Sequence, residues 1–132
     1  MSEQNKALIR RFYEEVVNQK NPAIAGEIVT PDFDDHAAQA PGIDGFMKLF
    51  SIMTTVFPDL HVTVEDLIAE GDRVAARVEV RGTQSGSFRG FPPTDKQVDY
   101  PGMDIFRIKD GKIAERWTQR DFLGMLQKLG HI

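Results

Sequence analysis

Chemistry-bearing residues concentrate in the last third of the chain, around Asp110-Gly111, the favoured two-residue hairpin signal. If those two residues form the turn, Lys109 pairs with Lys112, Ile108 with Ile113, Phe106 with Glu115 and Asp104 with Trp117. Side chains alternate across a strand, so these residues share one face of the sheet, and Gln119 and Asp121 extend it. The opposite face carries Arg107, Ala114, Arg116, Thr118 and Arg120 and suits solvent. A bulge in the hairpin would swap the faces beyond it.

The expected inner face mixes apolar residues with Asp104, Glu115, Gln119 and Asp121. Burying an unpartnered carboxylate costs several kcal/mol or shifts its pKa until it neutralises. Apolar walls with a few directed polar groups describe a ligand pocket. Each candidate also has a plain structural reading. Asp121 stands where it could cap a helix starting at Phe122. Asp104 is either a pocket group or the partner of a nearby arginine, Trp117 and Phe106 are core or pocket wall, and Gln119 is a candidate ligand contact. Tyr13 reads first as helix packing, and His36 is either a functional group at a pocket mouth or a satisfied structural histidine.

Other chemistries are narrowed by composition. The chain has no cysteine, so thiolate nucleophiles, disulfides and Cys-based metal sites are excluded. No two of its three histidines have metal-ligand spacing with a carboxylate, so no metal is expected. The glycines and prolines between Gly82 and Asp95 lack the Lys-Ser/Thr of a phosphate-binding loop. A formal net charge of −4 argues against a nucleic-acid partner. No apolar stretch approaches the roughly 20 residues of a membrane span. The start Met-Ser-Glu-Gln-Asn-Lys has no signal-peptide pattern, so a cytoplasmic protein is expected.

The elements that must position these residues follow from periodicity. Ser2 can cap a helix carrying Ala7, Leu8, Phe12 and Val16 at spacings of three and four. A short helix follows Pro22, then a short strand over Phe33–His36 and a loop over 37–42. Asp44 is the expected cap of a third helix reaching about Val56, with Phe46, Leu49, Phe50 and Met53 on its buried side. From Leu60 the period becomes two, and Val74, Ala76, Val78 and Val80 mark the clearest half-buried strand. Strands over Gln97–Lys109 and Lys112–Arg120 and a closing helix over Phe122–Leu129 complete the chain. Helices first and antiparallel strands after mean an α+β domain, residues 1–132 forming one unit.

Several stretches in this order resemble the SnoaL-like polyketide cyclases of the nuclear transport factor 2-like superfamily. They are Ile9-Arg10-Arg11-Phe12-Tyr13-Glu14-Glu15, Phe57-Pro58-Asp59-Leu60-His61-Val62-Thr63-Val64-Glu65-Asp66 and Gly71-Asp72-Arg73-Val74-Ala75-Ala76-Arg77. Arg81-Gly82-Thr83, the loop over residues 90–94, Asp104-Ile105-Phe106-Arg107 and Asp110-Gly111-Lys112-Ile113 with Trp117 and Asp121 continue the match. The resemblance implies a cone-shaped α+β barrel (cystatin-like), with three N-terminal helices on a curved, mostly antiparallel sheet. It also implies a homodimer and a cofactor-independent intramolecular aldol closure of a small apolar or aromatic carbonyl compound. By the same resemblance Asp121 is the acid/base and His36 stands where many relatives carry histidine. Relatives often have histidine before the strand tryptophan, where this chain has Arg116. Isomerisation or dehydration are near variants of this chemistry. A non-catalytic ligand-binding or dimerisation module of the same fold is the alternative.

Overall fold

The structure, a computed structural model, describes residues 2–38 and 40–132. Within the expected loop over 37–42, Gln39 lies outside the described residues, as does Met1. Helix α1 (Ser2–Arg11) runs into a wider π-helical turn over Phe12–Asn18. The turn closes through bonds of π spacing: the amides of Gln19 and Asn21 donate to the carbonyls of Glu14 and Val16 at 3.1 Å each. Its wider winding turns Phe12, Tyr13, Val16 and Val17 inward together. A 3₁₀ turn (Pro22–Ile24) leads into the single-turn helix α2 (Ala25–Ile28).

Strand β1 (Val29–Asp35) precedes helix α3 (Gly42–Val56). Helix α3 begins two residues before the expected cap at Asp44, with Pro41 at the cap position and no capping side-chain hydrogen bond. Strands β2 (His61–Glu70), β3 (Arg73–Thr83), β4 (Gln97–Lys109) and β5 (Lys112–Arg120) and helix α4 (Phe122–Lys128) follow. One curved five-stranded sheet has the order β1-β5-β4-β3-β2, antiparallel except where β1 runs parallel to β5.

The expected alternation in β3 holds: Val74, Ala76, Val78 and Val80 are buried, while Arg73, Arg77 and Arg81 are exposed. The helices cover that inner face. Phe12 meets Phe106 at a ring separation of 5.6 Å and Phe46 at 5.5 Å, and Tyr13 meets Phe106 edge-on at 5.9 Å. Full burial of a side chain such as Phe106 contributes about 1.5–3 kcal/mol. Asn18 ties the end of the π-helical turn to the edge strand β2, donating to the Val62 carbonyl at 2.9 Å and accepting from its amide at 2.8 Å.

The hairpin departs from a simple two-residue count. Lys109 pairs with Lys112 and Ile108 with Ile113, but Arg107 then pairs with Glu115, leaving Ala114 as an extra residue in β5. This bulge makes Ile113 and Ala114 consecutively buried and reverses every later side chain. Arg116, Thr118 and Arg120 turn inward, whereas Glu115, Trp117 and Gln119 turn outward, the reverse of the sequence expectation. Asp104, Phe106 and Ile108 keep their expected inward orientation because β4 carries no bulge.

Candidate functional site

A cavity of about 750 Å³ lies between α3 and the inner face of the sheet. Phe46, Leu49, Phe50 and Met53, the expected buried stripe of α3, form one wall. Val62 and Val80 contribute apolar surface from the sheet, and Tyr13, Tyr100, Arg116, Thr118 and Arg120 supply polar atoms.

Asp104 organises those polar groups. It is 1% exposed and accepts hydrogen bonds from both sides. Arg120 spans the carboxylate, with Nη1 at 2.6 Å from one oxygen and Nη2 at 3.1 Å from the other. The Thr118 and Tyr13 hydroxyls each donate a short hydrogen bond to it. Arg116 lies 3.9 Å away and donates to Asp35 at 2.9 Å. Asp35 is opposite Arg116 in the β1–β5 register, so the same alternation that buries Phe33 directs it inward. Gly102, the register partner of Arg120, leaves the guanidinium room: a Cβ there would stand 2.5 Å from Nη1 and 2.7 Å from Cδ.

The charges follow from this packing. Burial alone would raise the Asp104 pKa, but Arg116 and Arg120 more than offset it and hold the carboxyl below its usual range. Burial, reinforced by the Asp104 charge, lifts the Tyr13 hydroxyl well above the ordinary phenol value. Tyr100 is pushed up to about 12 by burial, with Arg120 opposing. The Tyr100 hydroxyl and Arg116 Nε are buried without a hydrogen-bond partner among the described residues. Two guanidiniums and the unpartnered Tyr100 hydroxyl at one cavity can stabilise negative charge developing on a substrate oxygen.

Of the expected site residues, the structure places Tyr13 and Asp104 together at this site. Phe106 is fully buried behind it as core. Asp121 is exposed at the start of α4, where its carboxylate accepts from the Gly124 amide at 2.9 Å. Gln119 is exposed and is one of the residues lining the cavity. Trp117 and His36 lie on the outer face of the sheet, stacked at 5.0 Å with 7° between their planes. His36 is therefore away from the cavity mouth expected for it; Ala37 and Ala38 line that part of the cavity. Its ring bonds Glu115 at 2.6 Å, and this bond raises the His36 pKa. Asp34, His36 and Glu115 bring three possible ligand atoms within 4.8 Å of one another on this exposed face. Arg107 donates to the same Glu115 at 2.9 Å and competes with a cation there.

Sequence reasoning missed Arg116, Thr118, Arg120 and Tyr100. The pairing of Asp104 with a nearby arginine was one of its two sequence readings and is what the structure shows, but an unbulged register put Arg116 and Arg120 on the opposite face.

A sequence model of the SnoaL-like polyketide cyclases matches residues 7–129. The chain belongs to this family. It is 28% identical over 109 residues to the nogalonic acid methyl ester cyclase of Streptomyces nogalater, covering 79% of this chain and 81% of that one. It is 25% identical over 128 residues to the aklanonic acid methyl ester cyclase DnrD of Streptomyces peucetius, covering 93% and 88%. Among solved structures, TsrD from Streptomyces laurentii superimposes with a TM-score of 0.90 at 28% identity, covering 100% and 98% of the two chains. IdmH from Streptomyces antibioticus gives 0.86 at 33% identity, covering 96% and 99%. The helices on a curved sheet are thus the SnoaL-like, nuclear transport factor 2-like architecture.

Proposed function

We propose that this SnoaL-like protein is an enzyme that closes a ring in a polyketide-derived carbonyl compound by an intramolecular aldol reaction. The observation that carries this reading is the buried Asp104 network, whose Tyr13, Thr118, Arg116 and Arg120 partners line a cavity large enough for a fused aromatic substrate. The curated relatives named as methyl ester cyclases support the substrate class.

The chemistry begins at a C–H between two carbonyls, already acidic enough for a carboxylate base if the enolate is stabilised. Arg116 and Arg120 face the cavity paired with Asp35 and Asp104, and protonation of Asp104 releases the Arg120 charge to the enolate. As the proton leaves carbon for the Tyr13 oxygen, the Tyr13 proton passes to Asp104 along their hydrogen bond. The enolate carbon attacks the second carbonyl held beside it by the apolar walls, and the new alkoxide recovers the proton by the reverse transfer. The arginines that weaken Asp104 as a base are the groups that make the enolate accessible to a weak base. In this reading Asp104 takes the acid/base role expected of Asp121, whose carboxylate would have to leave its helix cap to act.

The test is product analysis. An aryl 1,3-dicarbonyl tethered to a ketone is incubated with the protein and the cyclised product is measured by NMR. Cyclisation well above the buffer rate supports the reading. Tight binding of the compound with cyclisation at the buffer rate supports the non-catalytic binding module instead.

We also infer a homodimer formed through the outer face of the sheet. Ile68, Ala75, Ile105 and Trp117 lie in one register row there, and Ile68 and Ile105 are 66% and 43% exposed. An apolar row of this kind suits a self-complementary interface. Light scattering on Ile105→Lys tests it: a monomer where the wild type is a dimer is expected, and a monomeric wild type would refute it.

A further inference from the structure

The charged side chains lining the cavity are Lys48, Arg89, Arg116 and Arg120; among the described residues no aspartate or glutamate lines it. Arg116 and Arg120 are neutralised from behind by Asp35 and Asp104. Lys48 on α3 and Arg89 in the β3–β4 loop have no carboxylate within ion-pair distance among the described residues, and both are exposed at the rim. The rim thus carries two uncompensated positive charges over an apolar chamber.

Arg89 is held there against the preference of its backbone. Phe88 and Phe91 exchange backbone hydrogen bonds at 2.9 and 2.8 Å around a two-residue turn. Arg89 and Gly90 have φ of +48° and +87°, a left-handed turn that asparagine, aspartate or glycine fills without strain. The guanidinium packs over the rings of Phe88 at 5.1 Å and Phe122 at 5.3 Å, which fixes its position but leaves its charge uncancelled. The loop is tied down by hydrogen bonds: fully buried Gln84 donates to the carbonyls of Gly86, Phe91 and Pro92 and accepts from Thr94. Strain at a fixed, functional-looking position is the kind that persists when the side chain has work to do.

A second observation points to a ligand from inside the cavity. The Tyr100 hydroxyl lines it, in a residue 1% exposed, and has no hydrogen-bond partner among the described residues. A buried donor without an acceptor is costly and is satisfied by a bound oxygen.

We propose that the cavity's occupant is a free carboxylic acid, its carboxylate held at the rim by Arg89 and Lys48 while the Tyr100 hydroxyl donates to a carbonyl oxygen inside. This rests on the reading of the cavity as the substrate site and narrows it. The curated relatives are named for methyl esters, which carry no such charge, so the rim sets this chain's substrate apart from theirs.

Calorimetry with two probes of the same shape tests it: 9,10-anthraquinone-2-carboxylate and its methyl ester, at neutral pH and low salt. The wild type is expected to bind the acid about tenfold more tightly than the ester, equivalent to 1.4 kcal/mol, with the preference shrinking at high salt. Arg89→Asn, whose new residue suits the turn and offsets the lost packing on Phe88 and Phe122, should stay folded and lose most of the acid preference; Lys48→Gln should lose part of it. Tyr100→Phe should weaken both probes alike. Equal affinity for the two probes, tighter ester binding, binding of neither, or an undiminished acid preference in Arg89→Asn/Lys48→Gln would each overturn the proposal. Binding is read without turnover, so a protein that prefers the acid but closes no ring sinks the proposed reaction alone. One that cyclises substrates with no acid preference sinks this inference alone.

Discussion

Asp104→Asn is the substitution whose cost the structure fixes best. At neutral pH the aspartate accepts from Arg120 through two atoms, from the Tyr13 and Thr118 hydroxyls, and faces Arg116 at 3.9 Å. Asparagine keeps the shape and one accepting oxygen but removes the charge. Arg116 retains Asp35 at 2.9 Å, whereas Arg120, its side chain 11% exposed, loses its carboxylate partner. Removing one partner of a buried pair costs about 3–5 kcal/mol because the other charge stays buried. For a domain of this size that lowers Tm by about 10–20 °C. Urea unfolding of the wild type, Asp104→Asn, Arg120→Gln and the double variant measures it. The double variant should cost clearly less than the sum of the singles, since it leaves no orphaned guanidinium. A loss below about 1 kcal/mol for Asp104→Asn, or strict additivity, would refute the claim that this network is a tightly coupled buried unit.

The same network makes a pH prediction. The folded Asp104 pKa is depressed by Arg116 and Arg120 acting against burial, so its contribution is present above the unfolded value near 3.8 and lost as pH falls through the lower folded value. The stability gap between wild type and Asp104→Asn should therefore be flat at neutral pH and close only in strong acid. Gly102→Ala should displace Arg120 and cost about 1–3 kcal/mol by overpacking, measured by the same unfolding curves. Trp117, the chain's one tryptophan, reports the outer face. Protonated His36 stacked on it should quench its emission, which should recover as pH rises through a value above 6.5, the midpoint falling in Glu115→Gln. Unchanged emission across that range would contradict the stacking.

Most of the scaffold was legible because hydrophobic period and turn chemistry are local. The alternation from Val74 to Val80 and the Asp110-Gly111 turn determined β3 and the register next to the turn. The site was less legible because it depends on one non-local event. A single extra residue at Ala114 exchanged the two faces of β5, and a small apolar residue next to Ile113 carries no mark of being bulged. Tyr13 was undervalued because an ordinary helix predicts packing for it, and the π-helical turn that swings it onto Asp104 has no distinct periodic signature. Asp121 shows how one residue type serves two ends: its position fitted both acid/base chemistry and a helix cap, and the cap is what its carboxylate makes here. Tyr100 falls on the inner face by alternation alone, but only its missing partner sets it apart from a core tyrosine.

Proton transfer through Tyr13 and Asp104 is tested by deuterium exchange at the acidic C–H of aromatic 1,3-diketones. Wild type, Tyr13→Phe and Asp121→Asn would be followed side by side by NMR. Tyr13→Phe leaves both arginine pairs of Asp104 in place, so it reads proton transfer rather than collapse of the network. The proposed mechanism requires exchange by the wild type and by Asp121→Asn, and a fall of about 10²-fold or more in Tyr13→Phe, the scale of a lost general acid–base group. Exchange that survives in Tyr13→Phe and disappears in Asp121→Asn would contradict it and return the acid/base role to the helix cap.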